Sequence, residues 1–373
     1  MVHCARLKLN FAAKSIGIGR QEIALPIRAG GGHIARVKIL IDQHLPFLLA
    51  HGGANTQVEQ TKLALERAGV EVEFLRWWDE NQRGDLIHFF GAPPAGYLNL
   101  ARLKRLPVIT NTLFTDTCNR PLSRLKRQGM LVKTVLRLPF GEGIKSQLTW
   151  RTYQRTDHNV VSLEAEKTVL QVVYGVPAER ITVVPYGLSE TFMHAGAGPR
   201  NEPHLICTGT ITPRKCSVEL AQLARAAQVP ALFVGKPYHE SEPYWRQFRG
   251  LIDGKFVRHQ PHVSSEAEMV KLLQGARGFA LMSWYENWCL SAHEAAACGL
   301  PLLLTDQNWS RERFGDRVSY FANIGVNDEN VRRLKIFYDA AAHQTAPKVK
   351  LFSWLDVAQA LKKTYAQVLS AQP

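Results

Sequence analysis

Short apolar runs alternate along the chain with longer stretches of helical periodicity. Val37–Asp42 (VKILID) is a β-branched run of the kind that forms a buried parallel strand. A loop with Gly52-Gly53 follows, and the pattern then predicts a helix from Asn55 or Thr56, where Thr56 and Glu59 have capping-box spacing. The strand signal returns at Val70–Leu75, Leu86–Phe90, Pro107–Thr112, Asn159–Ser162 and Ile181–Pro185. Gly187–Pro203 is rich in Gly, Pro and small residues and reads as a connection between domains. A second set follows, with strands at Leu205–Thr208, Ala231–Val234, Gly278–Met282 and Pro301–Thr305. Helices are expected at Val218–Ala227, Glu266–Gln274 and Ala292–Ala297, and an amphipathic helix at Leu355–Leu369. This rhythm predicts α/β architecture in two doubly wound domains, with a cleft at the carboxyl ends of their strands. The expected bounds are 37–187 and 204–352, joined by 188–203, with 1–36 an extension that is either disordered or an amphipathic leader.

A length of 373 residues suits two domains, each with its own core. The net charge of +14 is uneven: residues 1–200 carry 26 Lys+Arg against 16 Asp+Glu, and residues 201–373 carry 20 against 16. Between Arg102 and Lys145, ten basic residues face only Asp116 and Glu142. A nucleic-acid surface, an anionic membrane surface and a solvated basic face all fit this excess, the last being commonest. Across 119–145 the basic residues interleave with Leu122, Leu125, Met130, Leu131, Val132, Val135 and Leu136. That pattern fits either a core helix with a basic outer face or a surface that docks on anionic lipid. The six cysteines are scattered without CxxC spacing, which suits a reducing cytosol and argues against a disulfide framework or a structural metal. No apolar run reaches membrane-spanning length, and the first twenty residues lack a secretory h-region. The expected location is cytoplasmic, free or peripheral at the inner face of the membrane.

Candidate chemistry concentrates in Ser283–Asp306 (SWYENWCLSAHEAAACGLPLLLTD). A strand end, a loop holding Glu286 and a helix starting near Ser291 would aim helix-start amides into the cleft, where they suit phosphates. Glu294, one turn in, is placed to accept ribose hydroxyls, and Glu286 to hold sugar hydroxyls. The bland alternative is that Ser291 and Glu294 form a capping box, which needs no ligand. In Cys207–Glu219 (CTGTITPRKCSVE), Arg214 and Lys215 sit at an expected helix start, where the dipole disfavours cations. A departing diphosphate would explain them, since both charges can neutralise it; a solvated basic turn would not need one. Gly52-Gly53 permits close approach to a ligand, or is an ordinary tight turn. His88 ends a separate strand and reads as structural.

Glu286 and Glu294, with seven residues between them and followed by Ala-Ala-Ala-Cys-Gly-Leu-Pro, resemble the E-x7-E signature of retaining glycosyltransferases of family 4. The resemblance runs in pieces from about Val37 to the C-terminus. It implies the GT-B fold, two Rossmann-like domains facing a central cleft with the last helix, within 353–373, crossing back to the first. It implies that Glu294 binds the donor ribose, that Glu286 lies beside the donor sugar, and that the amides of Asn287, Trp288, Cys289 and Leu290 meet sugar and diphosphate. Lys215 matches the family's lysine. Thr210, after Gly209, stands where an arginine is usual, so Arg214 is the substitute. Gly52 and Gly53 match the glycine loop, and His259–Val263, with His262 and Val263, the base pocket. The family's histidine after the strand Val108–Thr112 is replaced by Asn111 or Thr112, and Tyr186 stands where asparagine is common.

The implied partners are a UDP-, GDP- or ADP-sugar donor and a glycan or lipid-linked acceptor, as in cell-surface glycan or glycolipid synthesis. No cofactor and no metal are implied, and no D-x-D triplet occurs. The replaced histidine and Thr210 leave open a degenerate module that binds nucleotide sugar without turnover. The charge leaves open a nucleic-acid-binding protein, although RNP, zinc and helix-turn-helix signatures are lacking, and no nucleic-acid partner is expected.

Overall fold

The structure, a computed structural model, describes residues 37–44, 47, 52–112, 116–138 and 149–371. The extension 1–36 with its Gly30-Gly31-Gly32 run, and residues 139–145 of the basic stretch, lie outside the described residues. The chain forms two parallel six-stranded sheets. The first contains β1 (Lys38–Gln43), β2 (Glu71–Phe74), β3 (Leu86–Phe90), β4 (Val108–Asn111), β5 (His158–Val161) and β6 (Ile181–Val183), in the order β2-β1-β3-β4-β5-β6. The second contains β7 (Leu205–Thr208), β8 (Ala231–Val234), β9 (Val257–Gln260), β10 (Gly278–Leu281), β11 (Leu302–Thr305) and β12 (Ser319–Phe321), in the order β12-β11-β10-β7-β8-β9.

Helices flank each sheet, so the central strands are buried throughout and mostly apolar. β3, β7, β8, β10 and β11 are buried at every position. The strands read from the apolar runs stand within about two residues of their expected ends. The helix after β1 differs, because it spans Gly53–Arg67 rather than starting at Asn55 or Thr56. Its N-cap is Gly52 at φ 127, a conformation that L side chains rarely adopt, so the backbone enters the helix there. Thr56 and Glu59 are therefore inside the helix, and their spacing caps nothing.

Two crossings join the halves. Leu188 N donates to Phe352 O at 2.8 Å, and Leu188 forms an isolated parallel bridge with Ser353. Gly187 lies so close to this second strand that a Cβ there would run into the backbone of Trp354. The helix Trp354–Ser370 then returns to the first half and packs on Gly53–Arg67. Lys362 Nζ donates to Ala68 O at 2.8 Å, and His88 Nδ1 meets Tyr365 OH at 2.7 Å with both side chains buried. Burial lowers the His88 ring to about 3, so the neutral imidazole holds this bond across the physiological range. His88 is thus a structural tie between the chain's beginning and its end.

Tyr365→Phe removes that partner and leaves a buried ring nitrogen unsatisfied. The expected cost is about 1–3 kcal/mol, read as a lower urea midpoint. An unchanged midpoint would show that the bond does not hold the returning helix.

Candidate functional site

β7 and β10 are neighbours in the second sheet, so the loops leaving their carboxyl ends emerge side by side. The β7 loop carries Gly209 to Cys216, and the β10 loop carries Ser283 to Cys289. One carboxylate joins them. Glu286, 8% exposed, receives Lys215 Nζ at 2.6 Å, Arg214 Nη1 at 2.9 Å and Ser283 Oγ at 2.6 Å, all on Oε1. Arg214 Nη1 also donates to Tyr285 O at 3.0 Å, and Trp284 N donates to Arg214 O at 2.8 Å. Burial works against charge on Glu286, but the adjacent Lys215 and Arg214 outweigh it and hold the carboxyl below its ordinary range. The three charges sum to one net positive at the strand ends. Gly209 lies beside them: a Cβ there would stand 3.6 Å from Lys215 Cε.

Arg214 and Lys215 were expected at an α-helix start. They instead occupy a 3₁₀ turn, Pro213–Lys215, and the α-helix begins at Ser217 after Cys216 in the left-handed conformation at φ 48. The cations thereby stay outside the positive end of the helix dipole, and Glu219 takes its first turn. The second loop repeats this device. The helix Leu290–Ala297 follows Cys289 at φ 58. Ser291 is then inside the helix rather than at its N-cap, so the capping-box reading of Ser291 and Glu294 fails. The Glu294 carboxylate makes no hydrogen bond among the described residues. It is partly exposed, and desolvation raises it to about 7, with repulsion from Glu266 adding and Lys215 opposing.

The rest of the loop divides its side chains. Trp288 buries its indole at 2% exposure, stacked 4.7 Å from His293 with the Arg313 guanidinium 4.0 Å above the ring. Its bulk is therefore in the core and does not fill space beside Glu286. Burial pushes the Cys289 thiol up to about 11, so it carries no charge here. The Asn287 amide reaches the other half of the molecule and donates to Glu166.

Glu166 was not foreseen. It is buried at the start of the helix Glu164–Val172, where Ser162 N and Ser162 Oγ each donate to it at 2.7 Å. Its local signal is that of a helix cap, which does not reveal a partner from the other half. Nearby, Glu312 accepts from Glu164 N at 2.8 Å and Ala165 N at 3.1 Å, and Asn119 Nδ2 donates to Gln307 Oε1 at 3.0 Å. The halves are thus joined by polar contacts beside the Glu286 loop.

Gly52 faces the same region, since a Cβ on it would lie 3.6 Å from Thr210 Oγ1. Gly53 has open space around it as the first helical residue, so only Gly52 is required by conformation. Asn111 and Thr112, at the carboxyl end of β4, are buried with Asn111 Oδ1 and Thr112 Oγ1 unpartnered. His262 and Val263 follow edge strand β9, with His262 exposed and Val263 packed on the core. They stand two strands away from β7. Among the described residues no His, Cys, Asp and Glu group has the arrangement of a metal-ligand set.

No family model matches the chain, and no curated protein matches it by sequence. Solved structures do. Sucrose-phosphate synthase from Thermosynechococcus elongatus matches with a TM-score of 0.63 at 17% identity, covering 90% of this chain and all of that one. The lipopolysaccharide outer core galactosyltransferase WaaB matches at 0.58 and 13% identity, covering 89% of this chain and 99% of that one. Anabaena Alr3699/HepE, solved with UDP and glucose, matches at 0.55 and 14% identity, covering 90% of this chain and 100% of that one. Two parallel six-stranded sheets with flanking helices, and a match to such structures over nine-tenths of the chain, give this protein the GT-B fold.

Proposed function

We propose that this protein transfers a sugar from a nucleoside diphosphate donor to an acceptor hydroxyl, with retention at the anomeric carbon and without a metal. The observation that carries the reading is the buried Glu286 carboxylate paired with Lys215 and Arg214, one loop away from a Glu294 carboxylate without a hydrogen bond among the described residues. In this reading residues 37–187 with 353–373 hold the acceptor, and 204–352 hold the donor.

Glu286 uses only Oε1 for its three bonds, which leaves Oε2 to accept a sugar hydroxyl. Lys215 and Arg214 keep further N–H donors for the diphosphate. As the bond from the anomeric carbon to the diphosphate oxygen breaks, both cations neutralise the charge growing on that oxygen. The backbone of Asn287–Leu290, entering the helix, adds amides for the sugar and phosphates. Glu294, left without a protein partner, accepts the ribose hydroxyls. That a GT-B neighbour from Anabaena was solved with UDP and with UDP-glucose supports a nucleotide-sugar donor. Five free, buried thiols among the described residues suit the reducing cytosol where such donors are made. A glycan or lipid-linked acceptor fits the reading, within cell-surface glycan or glycolipid synthesis. A second reading, a module that binds nucleotide sugar without turnover, is favoured by Thr210 and by Asn111 and Thr112 in the place of a histidine.

A thermal-shift panel of UDP, GDP, ADP and their sugars is expected to pick out one base. With the donor so identified, Lys215→Ala should lower turnover by roughly 10²–10³. Wild-type turnover in that variant would sink the neutralising role of Lys215. Nucleotide binding with no transfer and no donor hydrolysis by the wild type would establish the second reading.

Glu294 gives a separate pH test. Its folded carboxyl titrates at about 7 against an ordinary 4.5, so the folded chain binds the proton more tightly than the unfolded one. Stability therefore declines as pH rises from 4.5 to 7. Glu294→Gln should stabilise the unliganded protein by about 1–3 kcal/mol at about pH 8 and by little at about pH 4. The same variant should weaken nucleotide binding and remove its loss below about pH 7. Calorimetric affinities that fall with pH equally in wild type and variant would exclude Glu294 as the ribose ligand.

A further inference from the structure

The helices Ala95–Leu103 and Leu122–Arg137 belong to one layer on the first sheet. Leu98 and Ala101 pack in the cluster that holds Val108, and Leu125 and Val132 in the cluster that holds Val161. Thr110 pairs with Asn159, so by alternation Val108 and Val161 point to the same face. The two helices are also linked through the later segment Arg151–Arg155. Arg151 Nη2 donates to Leu136 O at 3.3 Å, Arg102 Nη2 donates to Arg155 O at 2.6 Å, and Arg155 donates to Asn99.

The outer surface of this layer is unusual in two respects. Leu122–Arg137 buries Leu125, Gly129 and Val132 on one side, yet its opposite side exposes Met130 at 62% and Leu131 at 60%. Ala95–Leu103 likewise exposes Leu100 at 65% and Leu103 at 80%. The charged residues of both helices are all basic. Residues 95–155 hold twelve Lys and Arg against Asp116 and Glu142. Arg124, Lys126, Arg127, Lys133 and Arg137 are exposed and make no ion pair among the described residues.

We propose that this layer is a docking surface for a bilayer containing anionic lipid. Exposed leucine and methionine side chains enter the acyl boundary, and the flanking lysines and arginines meet the lipid phosphates. A nucleic acid would use the same cations, but its backbone offers no partner to an aliphatic crest at Leu100, Leu103, Met130 and Leu131. The charge excess accordingly selects an anionic surface, and the apolar crest selects a membrane. No described helix is long and apolar enough to cross one, so the contact is peripheral. The inference stands on this surface alone and does not require the sugar-transfer reading.

The test is flotation of the full chain with vesicles of phosphatidylcholine, with and without phosphatidylglycerol. Binding is expected only to the anionic vesicles. The triple variant Lys126→Gln, Lys133→Gln, Arg137→Gln should weaken it by on the order of 100-fold. The double variant Met130→Ser, Leu131→Ser keeps the charge and should also bind at least tenfold less. All five positions are exposed, so the melting temperature should stay at the wild-type value. Absence of wild-type binding to anionic vesicles, or equal binding to neutral ones, would overturn the proposal. So would a Met130→Ser, Leu131→Ser variant that binds anionic vesicles and single-stranded RNA as the wild type does, which would mark a general polyanion surface.

Discussion

The second half of this molecule turns on one buried carboxylate. Glu286 comes from the loop after β10, and the two cations that meet it come from the loop after β7. A single ionised acid in that position would be costly to bury. With Lys215, Arg214 and Ser283 all on one oxygen it remains charged, and it draws two loops into a fixed relation. The same arrangement leaves one net positive charge, with the Arg214 side chain still partly open to solvent. Removing either cation would therefore do more than delete a ligand contact, because it would leave Glu286 buried with less compensation.

From this loop the structure extends across the interface between halves. Asn287 follows Glu286 and ends on Glu166, which is itself held by Ser162 at the end of β5. Glu312 and Gln307 make parallel contacts nearby. Behind them, the two crossings at Leu188 and Ser353 and the His88–Tyr365 bond tie the last helix to the first half. The relation between halves is thus set by polar groups placed next to the candidate site together with apolar packing, since Tyr186 meets Trp288 with ring centroids 6.1 Å apart inside one buried cluster that runs through both halves.

Much of the fold was legible because a parallel strand covered on both faces must be apolar at nearly every position. Leu86–Phe90, Leu205–Thr208 and Ala231–Val234 were read with their observed ends for that reason. The edge strands β9 and β12 were not read, since VRHQ and SYF are half-buried and carry no apolar run. Helices between 306 and 352 were also unassigned. At the site, the E-x7-E segment and the Arg214–Lys215 pair could be chosen from sequence, but their ion pairing could not. The capping-box spacings of Thr56 with Glu59 and of Ser291 with Glu294 misled for a shared reason. In both cases a residue at positive φ, Gly52 or Cys289, starts the helix earlier, and spacing alone does not record backbone conformation. The side chain of Trp288 and the partner of Glu166 depend on tertiary packing, to which local pattern is blind.

The two glutamates of the segment differ in what holds them, and the difference bears on function. Glu286 is fully compensated by its own protein, and its carboxyl is driven below the ordinary range. Glu294 is desolvated, has no hydrogen-bond partner among the described residues, and is driven up to about 7. A structural carboxylate gains nothing from such a setting, since its charge is destabilising wherever it is ionised. Under the proposed function, this unsatisfied acceptor, one turn into its helix and one loop from two cations, takes its partner from the bound donor. In the proposed reading, the lack of a protein partner for the Glu294 carboxylate, more than its spacing from Glu286, is what makes it the ribose candidate.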